Sequence, residues 1–407
     1  MEKNFSQDIV AMFEVSEEAL RRGMEDFMAE MTRGLKDPSQ STLYMEPCYV
    51  ALPSGKERGK ALALDFGGTN ARASLVALTG DGLEVVQQVA RPLRKAGAYD
   101  AYDVTTKDTT REELFDFLAE LVAEVVAGER ADALPLGHTF SYGTHQEKLG
   151  DARLVVWSKE IAVPGVEGEM VNALLADALH RKGLHVTPTA ILNDTVAVLL
   201  AAAFRAPSTA IGTIYATGFN SCYLETFGGA KAPMVYNIES GSFGHFPQND
   251  YDRVLDEASA KPGAQKLEKM ISGRYLGELL GRIVQDGDHL VEAPTFTGED
   301  VSRLAMHGSE AEQRVARALI RRSARLAAMA LAAVLRHRAD ADHLATIPPQ
   351  PLAIDGSVFE HMPGVEQEMR IALRTLLSPN EESGLTFTLE KDASGTGAAI
   401  AAILGMR

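Results

Sequence analysis

Cysteine is nearly absent: Cys48 and Cys222 are the only two in 407 residues, and they lie far apart in the chain. Two distant thiols cannot supply a four-cysteine zinc site or a disulfide framework, and so low a count suits a reducing compartment. Long apolar runs are missing too. The most apolar stretches are 190–204, interrupted by Asn193 and Asp194, and 326–335, which is too short to span a bilayer. The N-terminus, Met-Glu-Lys-Asn-Phe-Ser-Gln-Asp, has no basic segment leading into an apolar one, so no secretory signal is read there and a cytoplasmic protein is expected. Basic charge is in deficit, with 40 Lys and Arg against 56 Asp and Glu, a net charge of −16. Neither a nucleic acid, which needs a basic face to neutralise its phosphates, nor an anionic membrane is therefore an expected partner. A nucleotide stays compatible, because local backbone donors and a divalent cation can outweigh the global field. The chain also lacks a Gly-x-x-x-x-Gly-Lys-Ser/Thr segment, which excludes a P-loop as its phosphate site.

What is present reads as an ordinary globular α/β protein too long for one core, so two lobes are expected. Ser16 is placed to cap a helix with Glu17 and Glu18 in its first turn, and Leu20, Met24, Phe27, Met28, Met31 and Leu35 follow at helical spacing. Residues 54–60 read as an exposed turn. Residues 61–66 form a short apolar strand, Gly67-Gly68-Thr69-Asn70 a turn, and 71–78 the returning strand, with 83–89 as a third. A helix is expected over about 111–126. The device recurs at 211–216, Thr217-Gly218-Phe219-Asn220 and 221–226, which suggests two topologically related lobes. Residues 310–337 carry no glycine or proline and predict a long helix. Residues 395–404, small and apolar, predict a helix packed tightly under a sheet.

Three groups of residues could carry chemistry. In Asp65-Phe66-Gly67-Gly68-Thr69-Asn70-Ala71-Arg72, glycines allow a tight turn whose N–H groups suit phosphate oxygens, and Asp65 could hold Mg²⁺ directly or through water. The same residues read equally as a plain hairpin with a solvated aspartate. Asp194, between a strand at 187–192 and an alanine-rich helix, could take a proton from a substrate hydroxyl. Asn193-Asp194 also reads as a helix cap, and the two roles are compatible. Ser141, Ser158, Lys159, Asn220, Glu239 and Glu268 form a scattered polar set of the kind a sugar requires, since each hydroxyl both donates and accepts. His337, Asp340, Asp342 and His343 follow a long helix and read as a solvated terminus before a metal site. His138 and His145 read as structural histidines, and Cys222 as a small buried thiol.

Taken in order, these motifs resemble the hexokinase family over nearly the whole chain, from Pro53-Ser54-Gly55-Lys56-Glu57 through Trp157-Ser158-Lys159, Asn193-Asp194-Thr195 and Glu268-Lys269-Met270-Ile271-Ser272-Gly273 to Gly395-Thr396-Gly397. The resemblance implies an α/β, two-lobed actin-like ATPase (ribonuclease H-like) fold, with mixed sheets flanked by helices. It places the small domain at 60–198 plus 395–407, the large domain at 1–59 plus 199–394, and the sugar between them. It implies ATP and Mg²⁺ as cofactors, and transfer of the γ-phosphoryl group to the 6-hydroxyl of a hexose, glucose first. Asp65, Gly67, Gly68, Thr69, Asn70 and Arg72 correspond to the first phosphate loop, with Asp65 near the metal, and Thr217 and Gly218 to the second. Gly356 and Ser357 match the adenosine segment, and Ser394 and Gly395 the last nucleotide-contacting turn. Ser141, Ser158, Lys159, Asn193, Asn220, Glu239 and Glu268 match sugar contacts, Asp194 the catalytic base, and Lys159 a second catalytic group that stabilises charge. The family pattern Phe-Ser-Phe-Pro is replaced by Phe140-Ser141-Tyr142-Gly143, Thr-Lys by Ser158-Lys159, and an initial Gly by Ala216. Phe219 stands for a small residue, Ser240 for Trp and Lys261 for Asn. These departures gather around the sugar set, so they bear on which hexose is used. The alternatives are a kinase for another hexose, such as mannose or fructose, and a sugar-sensing homologue with little turnover. A related kinase group carries a cysteine-rich zinc motif that two cysteines cannot build.

Overall fold

The turn at Gly67–Asn70 joins two strands as expected. In the computed structural model, which describes residues 7–80, 82–97, 101–126, 134–157, 161–287 and 292–406, Arg58–Phe66 and Asn70–Thr79 pair antiparallel with Asp65 opposite Arg72. The chain forms two units: Glu46–Gly212 with Pro233–Asn237 and Asp392–Arg407, and Met1–Met45 with Thr213–Ala232 and Ile238–Lys391.

The first unit is built on a mixed sheet with strand order Thr187–Leu192, Pro135–Phe140, Arg58–Phe66, Asn70–Thr79, Leu83–Pro92. The first three strands run parallel and the last two complete an antiparallel meander. Side chains alternate across a strand. Leu62, Leu64 and Phe66 therefore enter one core with Leu114, Leu118 and Leu175 from the helices Arg111–Val125 and Val171–Arg181. Ala61 and Ala63 face the other way, and their small size lets the helix Ala393–Leu404 lie close to the sheet. That helix also presses on Asp194–Arg205: a Cβ on Gly397 would stand 2.1 Å from the Ala197 carbonyl oxygen, so only glycine fits. His138 is a core residue, with Nδ1 3.1 Å from Asn172 Oδ1; burial pushes its pKa down to about 4, so the ring is neutral near pH 7.

In the second unit, Ser16 caps Glu17–Lys36 by accepting the Ala19 N–H at 3.1 Å. The helix Glu310–Ala341 has 32 residues and extends about 48 Å at 1.5 Å per residue. A capping box between Ser309 and Glu312 starts it, and it packs along Glu17–Lys36 and Val365–Leu376. The unit's sheet places Ile211–Tyr215 between Phe219–Glu225 and Gln350–Asp355, and the last pairs in parallel with Leu385–Leu389. Near the end of the long helix, His337 Nε2 lies 2.9 Å from the buried carboxylate of Glu225, and Asp342 accepts the Thr226 hydroxyl. Both contacts tie that end to the strand Phe219–Glu225. Among the described residues, no helix is long and apolar enough to cross a membrane.

Candidate active site

In the first unit, half-buried Asp65 stands one residue before the end of its strand, and the turn beyond it closes when Gly67 N–H donates to the Asn70 carbonyl at 3.2 Å. Thr69 and Asn70 are exposed at its tip, where the Thr69 carbonyl accepts the Leu93 N–H at 2.8 Å. Arg72, directly across the hairpin from Asp65, pairs with Asp392 at 2.7 Å. Thr139, beside Asp65 on the parallel neighbour, donates its hydroxyl to the Ser394 carbonyl at 2.8 Å. Ser394 and Gly395 lie in the first turn of the 12-residue helix Ala393–Leu404, and Asp392 precedes it at φ 54° without a side-chain capping bond. First-turn N–H groups have no intrahelical acceptor, and the dipole there favours an anion. The unit thus brings Asp65, the glycine turn, Arg72, Ser394 and Gly395 into one neighbourhood.

The sugar-set residues of this unit sit at the ends of its parallel strands. Asn193 caps the helix Asp194–Arg205, accepting the Thr195 N–H at 3.0 Å and the Thr195 hydroxyl at 2.8 Å. Asp194 is the first helical residue, half-buried, with Oδ1 2.9 Å from the same N–H. The Thr195 N–H is thus shared by the capping amide and the carboxylate, while the Thr195 hydroxyl is held by the amide at 2.8 Å. Ser141 is buried immediately after the strand Pro135–Phe140. Its neighbour Tyr142 packs against Phe66, Phe140 and Trp157 at ring-centroid distances of 5.2, 4.8 and 5.0 Å. The Tyr142 hydroxyl donates to the Gly67 carbonyl. Burial, and then the charge of Asp65, push the phenol above its ordinary pKa, so it remains a donor. Ser158 and Lys159 lie outside the described residues.

In the second unit, the turn at 216–218 closes with Ala216 N–H donating to the Gly218 carbonyl at 2.9 Å, and the Ala216 carbonyl accepts Gly273 N–H at 2.8 Å. Glu268 accepts the Phe219 N–H at 3.1 Å, and its carboxylate lies 3.0 Å from where a Cβ on Gly218 would stand. Asn220 uses both ends of its amide: Nδ2 donates to Glu239 at 3.1 Å, while Oδ1 accepts Ser221 N–H at 2.7 Å and Ser240 N–H at 3.1 Å. Glu239 has φ 55°, a left-handed conformation costing a side-chain-bearing residue about 1–3 kcal/mol. Gly356, at φ 139°, brings the second chain segment against this turn, since a Cβ there would lie 2.3 Å from the Tyr215 carbonyl. Ser357 follows it at the start of Ser357–His361. Thr217, Gly218, Asn220, Glu239, Glu268, Gly356 and Ser357 are thus grouped in this unit.

The departures from the family pattern divide physically. Phe219 is fully buried with its ring 5.6 Å from Tyr215, so it presents a backbone N–H to Glu268 while its side chain fills the core. The Lys261 carbonyl, rather than its side chain, is held, accepting Lys269 Nζ at 2.9 Å. Asp256 pairs with that same ammonium and accepts the Gly263 N–H at 3.0 Å. Sequence reasoning missed Thr139, Tyr142, Thr195 and Asp392 as supports. Only Thr195 carried a signal, a hydroxyl two residues after a capping Asn; Asp392 meets Arg72 across 320 positions.

Two family models, both described as hexokinase, match residues 6–204 and, in two segments, 210–310 and 298–404. Hexokinase-1 of Schizosaccharomyces pombe is 31% identical over 98% of this chain and 90% of its own. A hexokinase crystal structure aligns at TM-score 0.86 and 28% identity over 100% of this chain and 99% of that one. The hexokinase of Schistosoma mansoni complexed with glucose aligns at TM-score 0.77 and 26% identity, over 97% of each chain.

Proposed function

The chain belongs to the hexokinase family and is an ATP-dependent hexose kinase, and we propose that glucose is its acceptor, the 6-hydroxyl the atom phosphorylated and Asp194 the base. The observation that carries this reading is the strand end at Leu192. There Asn193 takes the capping task, and the Asp194 carboxylate is held beside it on the first turn of a helix.

In this reaction the hydroxyl oxygen forms a bond to the γ-phosphorus, the bond to the bridging oxygen breaks to release ADP, and the hydroxyl proton passes to Asp194. Little covalent work falls to the protein; positioning and charge stabilisation do most of it. Asn193, Ser141, Asn220, Glu239 and Glu268 would hold the sugar, with Ser158 and Lys159 completing the set and Lys159 countering developing charge. A missing sugar hydroxyl would leave such partners unpaired, which is how polar pockets select. The turn at Gly67–Asn70 with Arg72, the turn at Thr217 and Gly218, and the helix start at Ser394 and Gly395 would supply donors to the phosphates. Gly356 and Ser357 would border the adenosine. The residues fit a magnesium ion carried by the nucleotide, because Asp65 is a hard oxygen ligand beside the phosphate turn. That ion, when bound, would neutralise charge on the β- and γ-oxygens.

The test is ADP release with ATP and Mg²⁺ against glucose, mannose, fructose, glucosamine and no sugar, with the product's phosphorylated position identified. Glucose is expected to give the highest kcat/KM and a 6-phosphate. A higher kcat/KM for another hexose, or a product phosphorylated elsewhere, would remove the corresponding assignment.

A further inference from the structure

The bond from the Tyr142 hydroxyl to the Gly67 carbonyl joins two segments that the functional reading keeps apart, the sugar-contacting Ser141 and the first phosphate turn. The family pattern has phenylalanine at this position, and phenylalanine could fill the same space between Phe66, Phe140 and Trp157. Packing therefore leaves the oxygen unexplained. The peptide that the oxygen grips links Gly67 to Gly68. A peptide between two glycines is flanked by the least restricted dihedrals in proteins, so its plane can rotate at little steric cost. A trans peptide is planar, with its C=O and N–H pointing in opposite directions. Holding the Gly67 carbonyl toward the aromatic cluster therefore turns the Gly68 N–H away from it.

We propose that Tyr142 is a positioning residue for the phosphate donor: its hydroxyl locks the Gly67–Gly68 peptide so that the Gly68 N–H is presented to a nucleotide phosphate oxygen. Its position next to Ser141 makes the lock continuous with the acceptor-binding segment. The inference rests on the kinase reading of the turn and deepens it, assigning to this chain's own tyrosine a task that the family's phenylalanine cannot perform. The aromatic stack fixes the ring, and the hydroxyl donates to the Gly67 carbonyl. A flexible glycine turn is thereby given a single orientation before the nucleotide arrives, which lowers the ordering cost of binding.

The experiment is calorimetric titration of the full-length protein and of Tyr142→Phe with MgATP, MgADP and adenosine, together with KM for ATP and for sugar and a urea midpoint. Phenylalanine keeps the packing and removes one neutral hydrogen bond, so MgATP and MgADP affinities should fall about three- to tenfold. Adenosine affinity should not change, because adenosine has no phosphate to meet the Gly68 N–H. The sugar KM should stay within about twofold, and the urea midpoint should fall only by the small amount that one neutral hydrogen bond is worth. Unchanged MgATP affinity in Tyr142→Phe would overturn the inference. So would an equal loss of adenosine affinity, which would make the hydroxyl merely structural. If the unmodified protein bound neither nucleotide, the functional reading itself would fall, an outcome distinct from equal binding by both proteins.

Discussion

Asn193 and Asp194 are adjacent at one helix start, and replacing them one at a time should separate folding from catalysis. Asp194→Asn keeps the side chain's shape and an acceptor oxygen but removes its ability to take a proton. General-base assistance is worth about 10²–10⁴ in rate, so kcat should fall by that factor, or about 3–5 kcal/mol of transition-state stabilisation. Stability should change little. The Thr195 N–H also has Asn193 Oδ1 at 3.0 Å, so the cap survives, and the lost charge at the helix start is worth about 0.3–1 kcal/mol. Asn193→Ala reverses the pattern. It removes the 2.8 Å acceptor of the Thr195 hydroxyl and one of the two acceptors of the Thr195 N–H, leaving Asp194 Oδ1 at 2.9 Å, and should cost about 0.5–2 kcal/mol of stability. Its kcat should fall far less than that of Asp194→Asn, with the loss expressed mainly in the sugar KM. The assays are ADP release at saturating sugar and urea unfolding of each variant. A kcat within about tenfold of normal for Asp194→Asn would refute the base assignment. A loss of stability as large as that of Asn193→Ala would show that the carboxylate carries as much of the cap as the amide does.

Gly397→Ala should destabilise the first unit by about 1–3 kcal/mol or more, because the new methyl meets Ala197 backbone atoms at 2.1–2.6 Å that no rotamer can move. The urea midpoint should drop with an unchanged slope, and a midpoint equal to that of the unmodified protein would disprove the close approach. Acid should weaken the second unit through Glu30 and Glu381, whose carboxyls sit at about 2 in the fold. Burial alone would raise both, but hydrogen bonds outweigh it: from Ser41, Arg33 and Thr42 for Glu30, and from Ile347, Ser378 and Arg336 for Glu381. A carboxyl lowered in the fold stabilises it above the unfolded value of about 4.3, and that contribution is lost as pH falls from there toward about 2. The urea midpoint should thus decline most steeply below about pH 4.5, and Glu381→Gln should make the decline shallower. Equal midpoints at about pH 5.5 and pH 3 would contradict this account.

Elements dominated by local physics were legible in the sequence. Ser16 caps its helix through the Ala19 N–H, the helix expected at about 111–126 spans Arg111–Val125, and the glycine-free stretch from residue 310 is one helix to Ala341. Both hairpins with glycine-containing tips form where the turn chemistry placed them. In these cases the deciding interactions lie within a few residues, so composition and spacing are enough. Which polar residues meet was legible only through the family resemblance. Asn220 and Glu239 are 19 positions apart and Glu268 lies 49 from Phe219, and no local period encodes those meetings. Of the supports, Thr195 alone left a local trace; Thr139, for instance, reaches Ser394 across 255 positions through a main-chain carbonyl that carries no residue type.

The two aromatic departures show why residue type near a glycine turn underdetermines its task. Phe219 and Tyr142 both replace an expected residue beside the sugar set, and by type alone both would reshape a pocket. What separates them is where each side chain lies. At Phe219 the strand begins with its side chain against Tyr215, so the bulk is absorbed by the core and the turn receives only a backbone donor. The same buried placement applies to the ring of Tyr142, but its hydroxyl extends past the stack to the Gly67 carbonyl. A larger side chain in the core leaves the ligand surface to its neighbours, whereas one added oxygen at the core's edge can set the direction of a main-chain donor. If Asn220, Glu239 and Glu268 hold the sugar as proposed, the choice among hexoses would rest with those polar groups and not with the bulk of Phe219. Phe219→Leu should accordingly lower stability without reordering the ranking of glucose, mannose and fructose by kcat/KM. A changed ranking in that variant would return Phe219 to the sugar pocket.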